Sequence, residues 1–253
     1  MKPSTPFLVV IPARLASTRL PNKPLADIAG KPMVVRVAER ALMSGASRVV
    51  IAVDDQSIFD ACKTYGLDVM LTSKDHPTGT DRLSEVVSKL NLQDDEIVVN
   101  VQGDEPLIPS DLISDVANTL SQHPQASIAT TALAIHDPAE INNPNVVKVV
   151  MNQSHQALYF SRSAIPFSRN PEQHQAQCYR HIGMYAYRAS FLKKFSKLSP
   201  APIEEAEALE QLRALWHGFA IQVLLTDEAP PPGVDTAEDL ERVRQAFASL
   251  GKP

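Results

Sequence analysis

The sequence predicts an α/β fold on a mostly parallel sheet with helices on both faces, and three observations carry that prediction. Short continuous apolar runs such as "FLVVI" (7–11), "RVVIAV" (48–53) and "EIVVNV" (96–101) read as strands buried on both faces. Segments with apolar residues at helical spacing separate them, so the first half of the chain alternates strand and helix. The polar segments "PARLASTR", "DDQS" and "QGDEP" each follow a strand-like run, where ligands of such sheets sit.

Taken in order, "FLVVI" is a buried parallel strand ended by Pro12. From Gly30 to Gly45 a helix is expected, with Pro32 near its start and Gly45 as its C-terminal cap. Val34, Val37, Ala38 and Ala41 form its apolar stripe. "RVVIAV" is a strand, "QSIFDACKTYG" a helix closed by Gly66, and "DVML" a strand. "TDRLSEVVSKL" is helical, with Leu83, Val86, Val87 and Leu90 on one face, and "EIVVNV" is the next strand. After about residue 125 the texture turns β-rich: "ASIATTALAI", "NVVKVVM", "ALYFS" and "RHIGMYAY" read as strands, the middle two paired around "NQSHQ". Helices are expected near 189–198 and 203–217; in the latter Leu209, Leu212 and Trp216 share a face, with Trp216 in the core. The strand "IQVLLT", the turn "EAPPPGVDT" and the helix "AEDLERVRQAFASL" end the chain, and 168–177 is the one stretch expected to be a mobile loop.

With 253 residues the chain can bury a large core, so one domain spanning 1–253 is expected, with a β-rich region at about 126–218. A net charge of -5 argues against a general nucleic-acid binder, so any anion must be held by local arrangement. Cys62 and Cys178 lie far apart and outside any CxxC spacing, which reads as reduced thiols. No apolar run approaches the roughly 20 residues of a spanning helix, and "MKPSTPFLVVIPAR" lacks the apolar core of a signal peptide. A cytoplasmic protein without a membrane partner is therefore expected.

The first loop places Arg14, Arg19 and Lys23 beside the small residues Ala13, Ala16, Ser17 and Thr18. Small side chains let backbone N–H groups approach phosphate oxygens, a guanidinium grips them in a fork, and an ammonium acts as a point charge. Two readings are open, a solvated loop or a triphosphate-sized site; neither a GxxxxGK[ST] nor a GxGxxG pattern accompanies it. Asp104 and Glu105 follow a strand, as an ordinary turn would or as Mg²⁺ ligands would. Asp235 precedes Thr236, a helix cap, and capping alone would account for it. "YFSR" and "RHIGMY" contribute Arg162, Arg180, His181 and Tyr185; His181 by itself reads as a packed histidine.

Together, "IPARLASTRLPNKPL", "NVQGDEPLI", "NPNVVKVV", "ALYFSR", "YRHIGMYAYR", "LEQLRALWHG" and "GVDTAEDLERVR" resemble the 3-deoxy-D-manno-octulosonate (KDO) cytidylyltransferases, or CMP-KDO synthetases, from about Val9 to Arg244. The first motif is shared in outline with CMP-sialic acid synthetases; its combination with "NVQGDEP" and "YRHIG" is specific. One departure is Asn22, where that family often has Gly.

The resemblance implies a Rossmann-like (GT-A type) nucleotidyltransferase whose β-rich region serves sugar binding and dimerisation. It implies transfer of CMP from CTP to the anomeric hydroxyl of KDO for lipopolysaccharide synthesis, Mg²⁺ as cofactor, and a homodimer. Arg14 and Arg19 would hold the triphosphate, Lys23 the charge developing at the α-phosphate, and Asp104 and Asp235 the Mg²⁺. That makes Lys23, Arg14 and Asp104 the catalytic group. Ala13, Ser73, Gly79 and Arg82 would read the cytosine, and Gln102 would serve both substrates. Arg162, His181, Tyr185 and Glu210 would complete the sugar site, with Arg162 on the carboxylate. The rival readings are a cytidylyltransferase for sialic acid or an amino-substituted KDO, and a non-catalytic nucleotide-binding module on the same fold.

Overall fold

The computed structural model of the chain describes residues 5–16, 19–170 and 176–250. Ser17, Thr18 and half of the expected 168–177 loop lie outside the described residues. Strand β1 (Phe7–Ala13) leads through a one-turn 3-10 helix (Lys23–Leu25) to the small hairpin β2 (Asp27–Ile28) and β3 (Lys31–Pro32). There follow α1 (Met33–Leu42), β4 (Arg48–Val53), α2 (Gln56–Thr64), β5 (Val69–Leu71), α3 (Gly79–Lys89), β6 (Ile97–Asn100) and α4 (Ser110–Gln122). The second half holds β7 (Ile128–Ala134), α5 (Pro138–Ile141), β8 (Lys148–Met151), β9 (Ala157–Ser161), β10 (Tyr179–Arg188) and α6 (Ala189–Phe195). It ends with α7 (Pro202–Glu207), α8 (Gln211–Trp216), β11 (Ile221–Thr226) and α9 (Ala237–Leu250).

The strands join one sheet in the order β11-β7-β10-β6-β1-β4-β5. The pairs β6–β1, β1–β4, β4–β5 and β11–β7 are parallel, and β10 runs antiparallel between β6 and β7. The expected mostly parallel sheet is what forms. Strands β7 and β10 of the β-rich stretch belong to this central sheet; only the β8–β9 hairpin projects from it, attached through β8 to β10.

Alternation along β1 divides the core between the two faces of the sheet. Phe7, Val9, Ile11 and Ala13 pack with Val34, Val37 and Ala38 of α1 and with Ile113 and Val116 of α4. Leu8 and Val10 pack with Leu83, Val86 and Val87 of α3 and with Phe191 and Leu192 of α6. Pro12 lies inside β1 and does not end it. Val10 accepts from Val101 N on the β6 side, so by alternation the absent Pro12 donor faces that side, beyond the last paired residue.

The expected helix over 203–217 is broken. Ala208 takes a left-handed conformation (φ 50°, ψ 51°) and separates α7 from α8. Leu209 and Leu212 are buried while Trp216 is 55% exposed, a correction to its expected place in the core.

Candidate active site

Three segments converge at the carboxyl end of the parallel strands. The 3-10 turn after β1 carries Lys23, the turn after β6 carries Gln102 to Asp104, and the lead-in to α9 carries Val234 and Asp235. Lys23 Nζ donates to Asp104 Oδ2 at 2.6 Å, to Val234 O at 3.0 Å and to Asp235 Oδ1 at 3.3 Å. Arg19 Nη2 lies 3.1 Å from the same Asp235 oxygen. The two aspartates, 131 positions apart in the sequence, thus share one ammonium.

Local chemistry explains each placement. Asn22 initiates the 3-10 turn with φ 55° and ψ 30°, a left-handed conformation that Gly adopts freely and Asn tolerates best among the rest. The substitution of Asn for the resembling family's Gly therefore preserves the backbone that aims Lys23. Gly103 brings its chain against β1 so closely that a Cβ there would meet Pro12 O at 2.7 Å. Val234 N donates to Asp104 O at 2.8 Å, and Ile28, Met33, Val234, Leu240 and Val243 form a small core that docks α9 beside the first loop. Thr236 and Asp239 cap α9 reciprocally, so the capping and the presentation of Asp235 coexist.

Ala13, Arg14, Lys23, Gln102 and Asp104 line one cavity of about 210 Å³, which gathers Arg14 and Lys23 of the predicted triphosphate group, while Arg19 does not line it and pairs with Asp235. A second cavity of about 340 Å³ opens from the other side of Gln102. Thr80 of α3, Asn100 of β6, Tyr185 and Tyr187 of β10, and Glu210 and Gln211 around the α7–α8 break line it. Glu210 is bonded to Thr80 Oγ1, and its burial raises the carboxyl above the usual range. Burial likewise raises both Tyr185 and Tyr187 above the ordinary phenol value. His181 sits behind Tyr185 (ring centroids 5.4 Å apart), within 2.9 Å of Thr130 Oγ1, and desolvation lowers it to about 3. It is a neutral, packed ring at neutral pH.

Arg162, Arg82, Ser73 and Gly79 lie elsewhere than expected. Arg162 spends its guanidinium on the carbonyls of Glu207, Pro144 and Ala208, and it does not line the second cavity. Arg82 has no exposed surface; it binds Thr72 Oγ1 and lies 3.5 Å from Asp54, and it lines neither cavity. Gly79 lines the second cavity, whereas Ser73 is exposed and donates its N–H to Glu85. Asn100, Gln211 and Asp54 were not foreseen. The strand-end position of Asp54 in "DDQS" was a usable signal; the other two had none.

Among the described residues no group of three His, Cys, Asp or Glu could by itself hold a metal ion. Two carboxylates converging on one point instead suit a hard cation that takes its remaining oxygens from water and phosphate, as Mg²⁺ does. Glu105, next to them, is pushed up to about 8 by burial and by Asp104.

The sequence model of the cytidylyltransferase family matches residues 8–223. A 3-deoxy-manno-octulosonate cytidylyltransferase of Polynucleobacter necessarius subsp. necessarius is 62% identical over 243 residues, covering 96% of both chains. The chain belongs to the 3-deoxy-manno-octulosonate cytidylyltransferase family. A second member, from Polynucleobacter asymbioticus, is 60% identical over 96% of both chains. The solved structure of a CMP:2-keto-3-deoxy-manno-octonic acid synthetase complexed with CTP superposes with TM-score 0.90 at 43% identity, covering 97% of this chain and all of that one. A cytidylyltransferase from Leptospira borgpetersenii shares the fold at TM-score 0.60 and 17% identity.

Proposed function

We propose that this nucleotidyltransferase joins CTP to KDO, releasing pyrophosphate and giving CMP-KDO as a donor for lipopolysaccharide assembly. One observation carries the reading: Gln102 is the shared wall of a cation-lined, phosphate-sized cavity and a polar, aromatic-walled cavity. The anomeric hydroxyl, seated in the second cavity among Gln102, Tyr185 and Glu210, attacks the α-phosphorus lying in the first. Arg14 and Arg19 orient the triphosphate and Lys23 neutralises charge at the α-phosphate, so positioning and electrostatics do most of the catalysis. Asp104 and Asp235 are the groups that would hold Mg²⁺, which when bound supplies further neutralisation of phosphate oxygens.

With Arg162 engaged by three carbonyls, the sugar carboxylate is assigned to the polar groups of the second cavity. With Arg82 buried, cytosine recognition is assigned to the backbone around Ala13. Leu158 of β9 and Trp216 of α8, elements that pack together, are 60% and 55% exposed and support a homodimer through this side. Unpaired thiols at Cys62 and Cys178 accord with a cytoplasmic location. The test is pyrophosphate release with CTP, UTP and ATP crossed with KDO, 8-amino-KDO and sialic acid. Release confined to CTP with KDO is expected, and equal or faster release with another pair overturns the assignment.

A further inference from the structure

Asp54 directly follows β4 and makes two contacts across the sheet edge. Its Oδ1 accepts from Leu15 N at 3.0 Å, in the first loop beside Arg14. Its Oδ2 faces Arg82 Nη2 of α3 at 3.5 Å. The Asp54 side chain is 11% exposed and that of Arg82 fully buried. Arg82 also binds Thr72 Oγ1, which in turn donates to Val53 O at 2.9 Å, so the guanidinium is fixed to the β4–β5 edge. Arg14 is near enough to Arg82 to act on it electrostatically, and Arg14 Nη2 is buried without a hydrogen-bond partner among the described residues.

Two guanidiniums close enough to act on each other repel unless a carboxylate lies with them. From this geometry we infer that Asp54 is a positioning residue for nucleotide binding: anchored by buried Arg82, it fixes the Leu15 amide and so holds Arg14 and Ala13 in the conformation that receives the triphosphate. The inference rests on the CTP-dependent reading above. It makes a prediction opposite in sign to simple electrostatics. Removing a negative charge beside the cationic loop would by Coulomb attraction alone tighten an anion's binding. If Asp54 acts by shaping the loop, its removal weakens binding.

The experiment is steady-state pyrophosphate release by Asp54→Ala and Asp54→Asn, assayed well below their unfolding temperatures, with CTP binding measured in parallel by calorimetry. Loss of a hydrogen bond to a charged group is expected to raise KM for CTP on the order of tenfold in Asp54→Ala. Asp54→Asn, which retains an acceptor for Leu15 N, should show a smaller rise. KM for KDO should stay near the parent value in both. A purely structural role would lower the active fraction, and hence apparent kcat, without moving KM for CTP. Unchanged or lower KM for CTP in Asp54→Ala overturns the inference, as does a changed preference for CTP over UTP, which would make Asp54 a reader of the base. Absence of turnover in the parent protein with CTP and KDO would instead overturn the functional reading.

Discussion

Lys23 donates to two carboxylates and a carbonyl through a single ammonium. Replacing it with Ala removes the cation proposed to neutralise the α-phosphate and leaves Asp104 and Asp235 without their shared ammonium. Removal of one preorganised electrostatic donor typically costs ~10²–10³ in kcat, and a loss of that order is expected from steady-state kinetics on Lys23→Ala; turnover within a few-fold of the parent would remove Lys23 from the mechanism. Asp235→Asn should raise the Mg²⁺ concentration needed for half-maximal rate, and a Mg²⁺ titration of the variant checks this. Asn22 has its own signature. A β-branched residue in the left-handed region costs about 1–2 kcal/mol, so Asn22→Val should lower unfolding free energy by about that much while Asn22→Gly stays within about 0.5 kcal/mol. Equal stability of the Val and Gly variants in urea titrations would show that the turn does not need the left-handed backbone. The sequence showed Asn22 only as a departure from a family habit; its dihedral angles explain why the departure is harmless.

At the scale of elements, the apolar runs and the helical stripes were legible because burial on both faces writes itself into composition. Helix α4 carried the same kind of stripe, with Leu112, Ile113, Val116, Ala117 and Leu120 buried, and was equally readable, yet it was not among the expected helices. The α7–α8 break was not readable. Glu204 to Trp216 has good helix formers throughout, and the left-handed Ala208 is imposed by tertiary contacts such as Arg213 with Glu204 and Glu210 with Thr80. Gly103 gives a prediction at this scale. An added methyl must push β1 and the turn after β6 apart, so Gly103→Ala should cost roughly 1–3 kcal/mol of stability and reduce kcat by separating Gln102 and Asp104 from the first loop. Thermal melts and kinetics together test it; parental values in both would mean the close approach is tolerant.

For the molecule as a whole, acid stability draws on groups held below their ordinary values, His181 and Glu85 among them. His181 is lowered by desolvation to about 3, from an ordinary 6.5. The unfolded chain therefore takes up a proton there that the folded chain refuses, and stability falls as pH drops below 6.5. Glu85 is also low, at about 2 against an ordinary 4.5; burial opposes the shift, and bonds from Lys89, His76 and the Ser73 amide outweigh it. Its contribution is lost as pH falls from 4.5 toward 2. His181→Phe should thus lose less stability than the parent between pH 7 and pH 4.5, by on the order of 1 kcal/mol because the ring is partly exposed. Urea midpoints at the two pH values measure the difference, and parallel losses would show that His181 does not titrate on unfolding. What sequence could not supply at this scale is pairing at long range: Thr80 with Glu210, Asp54 with Leu15, and the engagement of Arg162 by backbone carbonyls are facts of tertiary closure.

The ammonium of Lys23 has a mechanical side as well. It rivets the start of the chain to the approach of the final helix, through a carbonyl and a carboxylate at 234 and 235. The segment that matches the cytidylyltransferase family ends at 223, before either partner. A chain cut there would sever β11 after its third residue and keep the other strands of the sheet and the nucleotide-side loop, yet its lysine would have only Asp104 left to hold. The last thirty residues are thus the far jaw of the site, and shortening the protein to its most recognisable portion would leave a scaffold that cannot close on its own chemistry.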